Sequence, residues 1–124
     1  MLKNLNSREM GNIGEQATAD FLVKNGYEIL KRNYTVRGGE IDIIAKKNNV
    51  IAFVEVKTRK ENPLETGEKA VTESKKRHVV KTAEHYLNTL YKPCDCRFDV
   101  AVAEVKNKQI VRLKYYVSAF DASK

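Results

Sequence analysis

Glu40-Ile41-Asp42-Ile43-Ile44-Ala45, then Lys46 to Asn49, then Val50-Ile51-Ala52-Phe53-Val54-Glu55-Val56-Lys57, is the stretch on which the fold turns. Two β-branched, apolar runs flank a polar step, and Asn48-Asn49 suits the positive φ angles of a two-residue hairpin turn. If those two residues form the turn, Lys47 pairs with Val50. Asp42 then falls directly opposite Glu55, and Glu40 falls opposite Lys57. Period-two alternation puts all four on one face, with Ile41, Ile43, Val54 and Val56 on the other. Two opposed carboxylates inside such apolar strands are destabilising unless something compensates them.

Working outward, the N-terminal side reads as a helix from about Ser7 to Asn25. Ser7 is the expected N-cap, Glu9 suits the positive first turn and Gly26 is a natural stop. Met10, Ile13, Ala17 and Phe21 recur at helical spacing as the expected core stripe. Tyr27 to Tyr34 forms a first strand, and Gly38-Gly39 turns the chain into the hairpin. Beyond the hairpin, Thr58 to Gly67 reads as a loop with Pro63. A second helix runs from about Thr72 to Tyr91, with Val79, Ala83, Tyr86, Leu87 and Leu90 as its apolar stripe. Arg97 to Ala103 and Gln109 to Tyr115 follow as two strands around a turn at Asn107. The order α-β-β-β-α-β-β predicts an α/β fold, a mixed β-sheet flanked by helices. With 124 residues the chain is expected to form one domain, 1–124.

Composition narrows the class. An apolar fraction of 42% and a charged fraction of 31% describe a globular chain. No apolar run approaches the ~20 residues that cross a bilayer, and Met1 to Met10 carries no apolar signal core. The expectation is a cytoplasmic protein with no membrane partner. Lys and Arg number 23 against 16 acids, a net charge of +7, which favours polyanionic partners through counterion release. A well-solvated surface is the plainer reading of the same charge. Cys94 and Cys96 lack the second ligand pair of a structural zinc site and read as small apolar fillers.

A divalent cation compensates the Asp42–Glu55 pair naturally, because hard carboxylate oxygens suit Mg²⁺ or Mn²⁺. Lys57, two residues beyond Glu55, could orient an attacking water or steady a phosphorane. A charged strand edge that blocks aggregation is the alternative for any E-x-K taken alone. The combination of Glu40-Ile41-Asp42, twelve intervening residues and Glu55-Val56-Lys57 favours the site.

Gly39-Glu40-Ile41-Asp42 followed by Phe53-Val54-Glu55-Val56-Lys57 resembles the core of the PD-(D/E)XK phosphodiesterases. It is similar to archaeal Holliday-junction resolvases and, over nearly the whole chain, to a bacterial family called YraN-like, or UPF0102-type. Gly11-Asn12-Ile13-Gly14-Glu15-Gln16-Ala17, Gly26 to Asn33, Arg97-Phe98-Asp99-Val100 and Ala119-Phe120 extend the likeness. The resemblance implies a restriction-endonuclease-like fold and a metal-dependent endonuclease acting on nucleic acid, DNA above all, with structured or branched DNA a candidate substrate. It makes Asp42 and Glu55 ligands of Mg²⁺ or Mn²⁺, assisted by the Val56 carbonyl, and Lys57 the catalytic lysine. Glu40 is secondary. Glu15 matches a helix-borne acid aimed at the metal. At roughly 100° per residue it lies a quarter turn or more from the expected stripe, where a solvated glutamate also fits.

Arg37, Arg59, Lys60, Lys75, Lys76 and Arg77 lie where a phosphate backbone would run, and the last three open a helix whose free N–H groups attract phosphate. The alternative there is a solvated helix face offset by Glu68 and Glu73. Tyr34 reads as a base-stacking platform or, more simply, as a strand aromatic on the core. A homodimer suits a two-fold symmetric substrate. Against the nuclease stand a non-cleaving nucleic-acid-binding module of the same fold and a structural protein with incidental carboxylates.

Overall fold

The computed structural model describes residues 6–60 and 71–122. Seven elements follow in the expected order: α1 (Ser7–Lys24), β1 (Glu28–Val36), β2 (Gly39–Lys47), β3 (Val50–Lys60), α2 (Glu73–Leu87), β4 (Asp95–Lys106) and β5 (Gln109–Phe120). The five strands form one sheet in sequence order. β3 and β4 run parallel across the α2 crossover, and the other neighbours are antiparallel. This mixed α/β sheet is consistent with a restriction-endonuclease-like fold. The segment expected to be a loop from Thr58 continues as strand to Lys60; its remainder, with Pro63, Gly67 and Glu68, lies outside the described residues.

Turn chemistry sets the register. Asn48 and Asn49 adopt φ of 51° and 63°, and Asn107 and Lys108 adopt 52° and 64°. Both hairpins are therefore tight two-residue turns whose twist matches the flanking strands. Lys47 pairs with Val50 as the sequence predicts, and the ladder runs to Ile43 opposite Val54.

Each sheet face carries one helix. Under α1, Ala19 and Leu22 pack on Ile43, Ala45, Ala52, Val54 and Ala101. Under α2, Val79, Ala83 and Tyr86 pack on Ile41, Ile44, Ile51, Phe53, Val100 and Val102. An aromatic row crosses the sheet beneath α2. Phe120 stacks on Phe98 at 5.2 Å, Phe98 on Phe53 at 5.6 Å, and Tyr86 bridges Phe53 to Tyr34. Tyr34 thus belongs to the core, with its hydroxyl 2.9 Å from His85 Nδ1.

Several expectations are corrected. The N-cap of α1 is Asn6, whose Oδ1 accepts from the Glu9 N–H at 2.8 Å, and not Ser7. The buried stripe of α1 is Gly14, Thr18, Ala19 and Leu22, while Met10, Ile13, Ala17 and Phe21 are only half-buried. The reason is a close approach. A Cβ at Gly14 would lie 2.0 Å from Thr58 Oγ1 and within 3.2 Å of both other Thr58 side-chain carbons. Thr18 can be buried because its hydroxyl donates to the Gly14 carbonyl at 2.8 Å. Small and hydroxylated residues make that contact, so ranking by hydrophobicity passes over it.

α2 ends at Leu87 rather than Tyr91, because the Thr89 hydroxyl and N–H both donate to the Tyr86 carbonyl and close the last turn. Cys94 fills the edge of the α2 core as expected, but Cys96 is exposed. No helix among the described residues is long and apolar enough to cross a membrane.

Candidate functional site

Asp42 stands where strand alternation breaks. Ile41 belongs to the core under α2 and Ile43 to the core under α1, so β2 changes face at Asp42. The expectation that Ile41 and Ile43 share a face is corrected accordingly. β1 breaks at the same level: Arg32 pairs with Ile43 and Tyr34 with Ile41, and the Asn33 between them, opposite Asp42, has a φ of 52°. Asparagine tolerates that left-handed conformation better than most residues.

The β2–β3 ladder stops at Ile43–Val54. One step on, Asp42 Oδ2 accepts the Val56 N–H at 2.8 Å, so a side chain replaces the ladder carbonyl and the strands part. A strand residue turns its N–H and C=O toward the same neighbour, so the Val56 carbonyl also opens toward this gap. Glu40 pairs with Thr35 of β1 and is exposed, and the β2–β3 ladder ends before it reaches Glu40 and Lys57.

Glu55 occupies the register position opposite Asp42 and is 4% exposed. Its Oε1 is buried with no hydrogen-bond partner. Burial pushes the carboxyl pKa up from 4.5 to about 10, helped by the hydrogen bond and charge of Asp42 and by Glu40, and opposed by Lys75. At neutral pH the pair therefore holds a proton. A cation of two or more charges would suit the same oxygens, since it would satisfy the orphaned Oε1 and take the place of the proton.

A cleft of about 260 Å³ opens beside Glu55, lined by Glu55, Val56, Lys57, Val71, Thr72 and Lys75. The structure thus brings Asp42, Glu55, Val56 and Lys57 into one neighbourhood, and it adds the start of α2. Glu15 is placed differently. Its side chain is 12% exposed, and Oε1 accepts from Arg32 Nε at 3.1 Å and Asn33 Nδ2 at 3.0 Å. It is neither a solvated glutamate nor in common reach of the pair. Among the described residues no three His, Cys, Asp or Glu side chains converge on one point. Asn33, which Glu15 holds, lies opposite Asp42 in the β1–β2 register.

The expected phosphate contacts divide. Arg37, Lys60, Lys75 and Arg77 are exposed, and Arg59 is half-buried on β3. Lys76 is buried. Its Nζ donates to Glu73 Oε1 at 3.3 Å and lies 5.6 Å from the Phe120 ring centroid, so it packs inward and presents no surface charge. Four consecutive polar residues, Lys75 to His78, hide this, because one helical position in the run must still face the core.

Sequence reasoning also missed the role of Asp99, which is fully buried. Arg97 Nε donates to its Oδ1 at 3.0 Å and Oδ2 at 3.1 Å, the Tyr115 hydroxyl donates at 2.6 Å, and the Ser118 N–H donates at 2.9 Å. Arg97 also reaches the Tyr27 hydroxyl. Burial, then the Asp99 charge, raises the Tyr115 pKa. This network staples β4, β5 and the entry to β1 together. Its signal was an acid between Phe98 and Val100.

Residues 14–103 match the sequence model of Uncharacterised protein family UPF0102. The chain belongs to that family. A UPF0102 protein of Caldicellulosiruptor saccharolyticus is 46% identical over 107 residues, 84% of this chain and 91% of the relative. A UPF0102 protein of Symbiobacterium thermophilum is 44% identical over 117 residues, covering 94% and 99% of the two chains. One from Dictyoglomus thermophilum is 40% identical over 119 residues, covering 94% and 100%. The UPF0102 match spans α1 from Gly14 through most of β4, and so includes Glu15, Asp42, Glu55, Lys57 and Lys75.

Proposed function

We propose that this UPF0102 protein is a divalent-cation-dependent nuclease that hydrolyses phosphodiester bonds in nucleic acid, with structured or branched DNA as its substrate class. The observation that carries the reading is the Asp42–Glu55 pair: a buried carboxyl with one unpartnered oxygen, held protonated by burial and by its neighbour, at the end of the β2–β3 ladder. Burying such a pair costs several kcal/mol unless a counter-charge offsets it. Similarity to the PD-(D/E)XK phosphodiesterases over Gly39–Asp42 and Phe53–Lys57 points the same way.

Asp42, Glu55 and the Val56 carbonyl would hold Mg²⁺ or Mn²⁺. The ion supplies Lewis acidity at a phosphate oxygen. The remaining work falls to the chain. Lys57, exposed at the cleft, brings an ammonium that orients a water for attack on phosphorus or steadies the charge that grows on the phosphate oxygens. Asp42 keeps the gap open through its bond to the Val56 N–H. Glu15 acts through Asn33, which it ties to the level of Asp42. The reading assigns the protein to the cytoplasm, with DNA as partner and a homodimer where the substrate has two-fold symmetry.

A non-cleaving DNA-binding module is the second reading, favoured by Glu15 being spent on Arg32 and Asn33. One assay separates the two. Purified protein with Mn²⁺ is offered linear, single-stranded, flapped and four-way DNA, beside a Glu55→Ala control. Cleavage by the parent protein and none by the variant is expected. Binding by both with cleavage by neither would leave the module.

A further inference from the structure

β5 is an outer strand of the sheet, and its far side meets no described strand. Open edges invite pairing with another chain unless bulges, prolines, charges or shortness block them. β1, the opposite edge, is blocked. It bulges between Ile29 and Lys31, takes a left-handed φ at Asn33 and exposes Glu28, Lys31 and Arg32. β5 runs for 12 residues without proline and pairs evenly with β4 from Arg112 to Tyr116. Four large hydrophobic side chains are exposed among the described residues, and two of them, Val111 and Val117, lie on this strand. Alternation sets both on the α1 face with Leu113 and Tyr115, while Arg112, Lys114 and Tyr116 take the α2 face. The Tyr115 ring packs on Phe21 at 5.2 Å and its hydroxyl is tied to Asp99, so the middle of the edge is firmly held.

Such an edge complements itself in one register. Two antiparallel copies centred on Leu113 would oppose Arg112 to Lys114, and centring on Lys114 would oppose that lysine to its own copy. Like charges directly across strands are destabilising. Centring on Tyr115 sets Leu113 against Val117 on the α1 face and Lys114 against Tyr116 on the other, with no cation opposite a cation. We propose that the chain pairs with a second copy of itself through β5, in this register, to form one continuous sheet. The same patch serves both copies, as two-fold symmetry requires. Opposed residues share a face, so both α2 faces, and with them both Glu55 clefts, open on the same side. Glu55 is level with Val100 and Val100 with Tyr116, one residue from the two-fold axis. Five strand spacings then separate the two Glu55 positions, roughly 24 Å. The pairing needs only the edge; its use, presenting two cutting sites to one two-fold symmetric DNA, rests on the nuclease reading.

Sedimentation equilibrium of the full chain, without DNA or metal, tests the pairing. The average mass should rise from one copy to two with concentration, while amide exchange slows from Val111 to Val117 and is unchanged along β1. Val117→Lys should weaken pairing at least tenfold, because it sets an ammonium against the second copy's Leu113. Val23→Lys, the same change at an equally exposed valine of α1, should leave pairing unchanged. Val111→Lys, opposite only Ala119, should weaken it less than threefold. Equal losses at 111 and 117 would move the centre to Lys114 and overturn the register. A single-copy mass at every concentration, equal weakening by the Val117 and Val23 variants, or protection along β1 instead, would overturn the pairing. Because association needs no turnover, the two readings fail separately. DNA cleavage by a chain that stays single removes the pairing alone, and pairing without cleavage removes the nuclease alone.

Discussion

Glu55 was legible from the sequence because hairpin register is arithmetic: once Asn48-Asn49 form the turn, the opposed pairs are fixed as far as Ile43–Val54, and Asp42 and Glu55 follow one step beyond. Lys76 and Glu15 were not, since their settings depend on which helix face meets the sheet. The raised pKa of Glu55 gives a signed expectation for the metal-free protein. A carboxyl at 4.5 unfolded and about 10 folded contributes stability fully present below pH 4.5 and lost as pH rises toward 10. In EDTA the thermal midpoint should therefore fall between pH 5 and 9 on the order of several degrees. Glu55→Gln, neutral throughout, should flatten that slope and raise stability at pH 7 by on the order of 2 kcal/mol. Mn²⁺ should stabilise the parent protein and not the variant. Calorimetry of both proteins across pH decides it, and identical slopes would mean that the pair is not buried as described.

At the scale of elements, turns, strands and the α2 stripe followed their sequence signals, and the α1 face did not. The α1 stripe was displaced because Gly14 and Thr18, poor in hydrophobicity, allow the closest approach to the sheet. α2 docks by the same device. A Cβ at Gly39 would lie 2.0 Å from Thr82 Oγ1 and 3.2 Å from the His78 carbonyl. Thr82 cannot swing away freely, because it is buried and its hydroxyl donates to that carbonyl at 2.7 Å. Gly39→Ala should thus overpack the joint and cost about 1–3 kcal/mol, read from the denaturant midpoint at unchanged slope. A neutral result would show that α2 slides on the sheet at no cost. Alternation, too, was misleading at one residue: it predicts Ile41 and Ile43 on one face, and the coordinated break at Asn33 and Asp42 separates them. Nothing local announces that break except an asparagine, which suits a left-handed φ.

For the whole molecule, a net charge of +7 bears on partners, while its placement decides which charges can act. Of the basic run at the start of α2, Lys75 and Arg77 face solvent and Lys76 does not, so reversing all three would confuse lost contacts with a broken core. The clean variant is Lys75→Glu with Arg77→Glu. If this face tracks a phosphate backbone, DNA affinity should fall with salt at a log–log slope of about −0.9 per phosphate contact. The double reversal should weaken binding alike across sequences and flatten the slope, because backbone contacts carry no base information. Glu55→Ala should leave the slope where it is, since it removes no cation. Fluorescence anisotropy on one duplex between about 50 and 200 mM salt measures all three proteins. Should the double reversal leave both affinity and slope untouched, the α2 face is merely solvated, and the DNA contacts expected of Arg37, Arg59 and Lys60 become the ones to test.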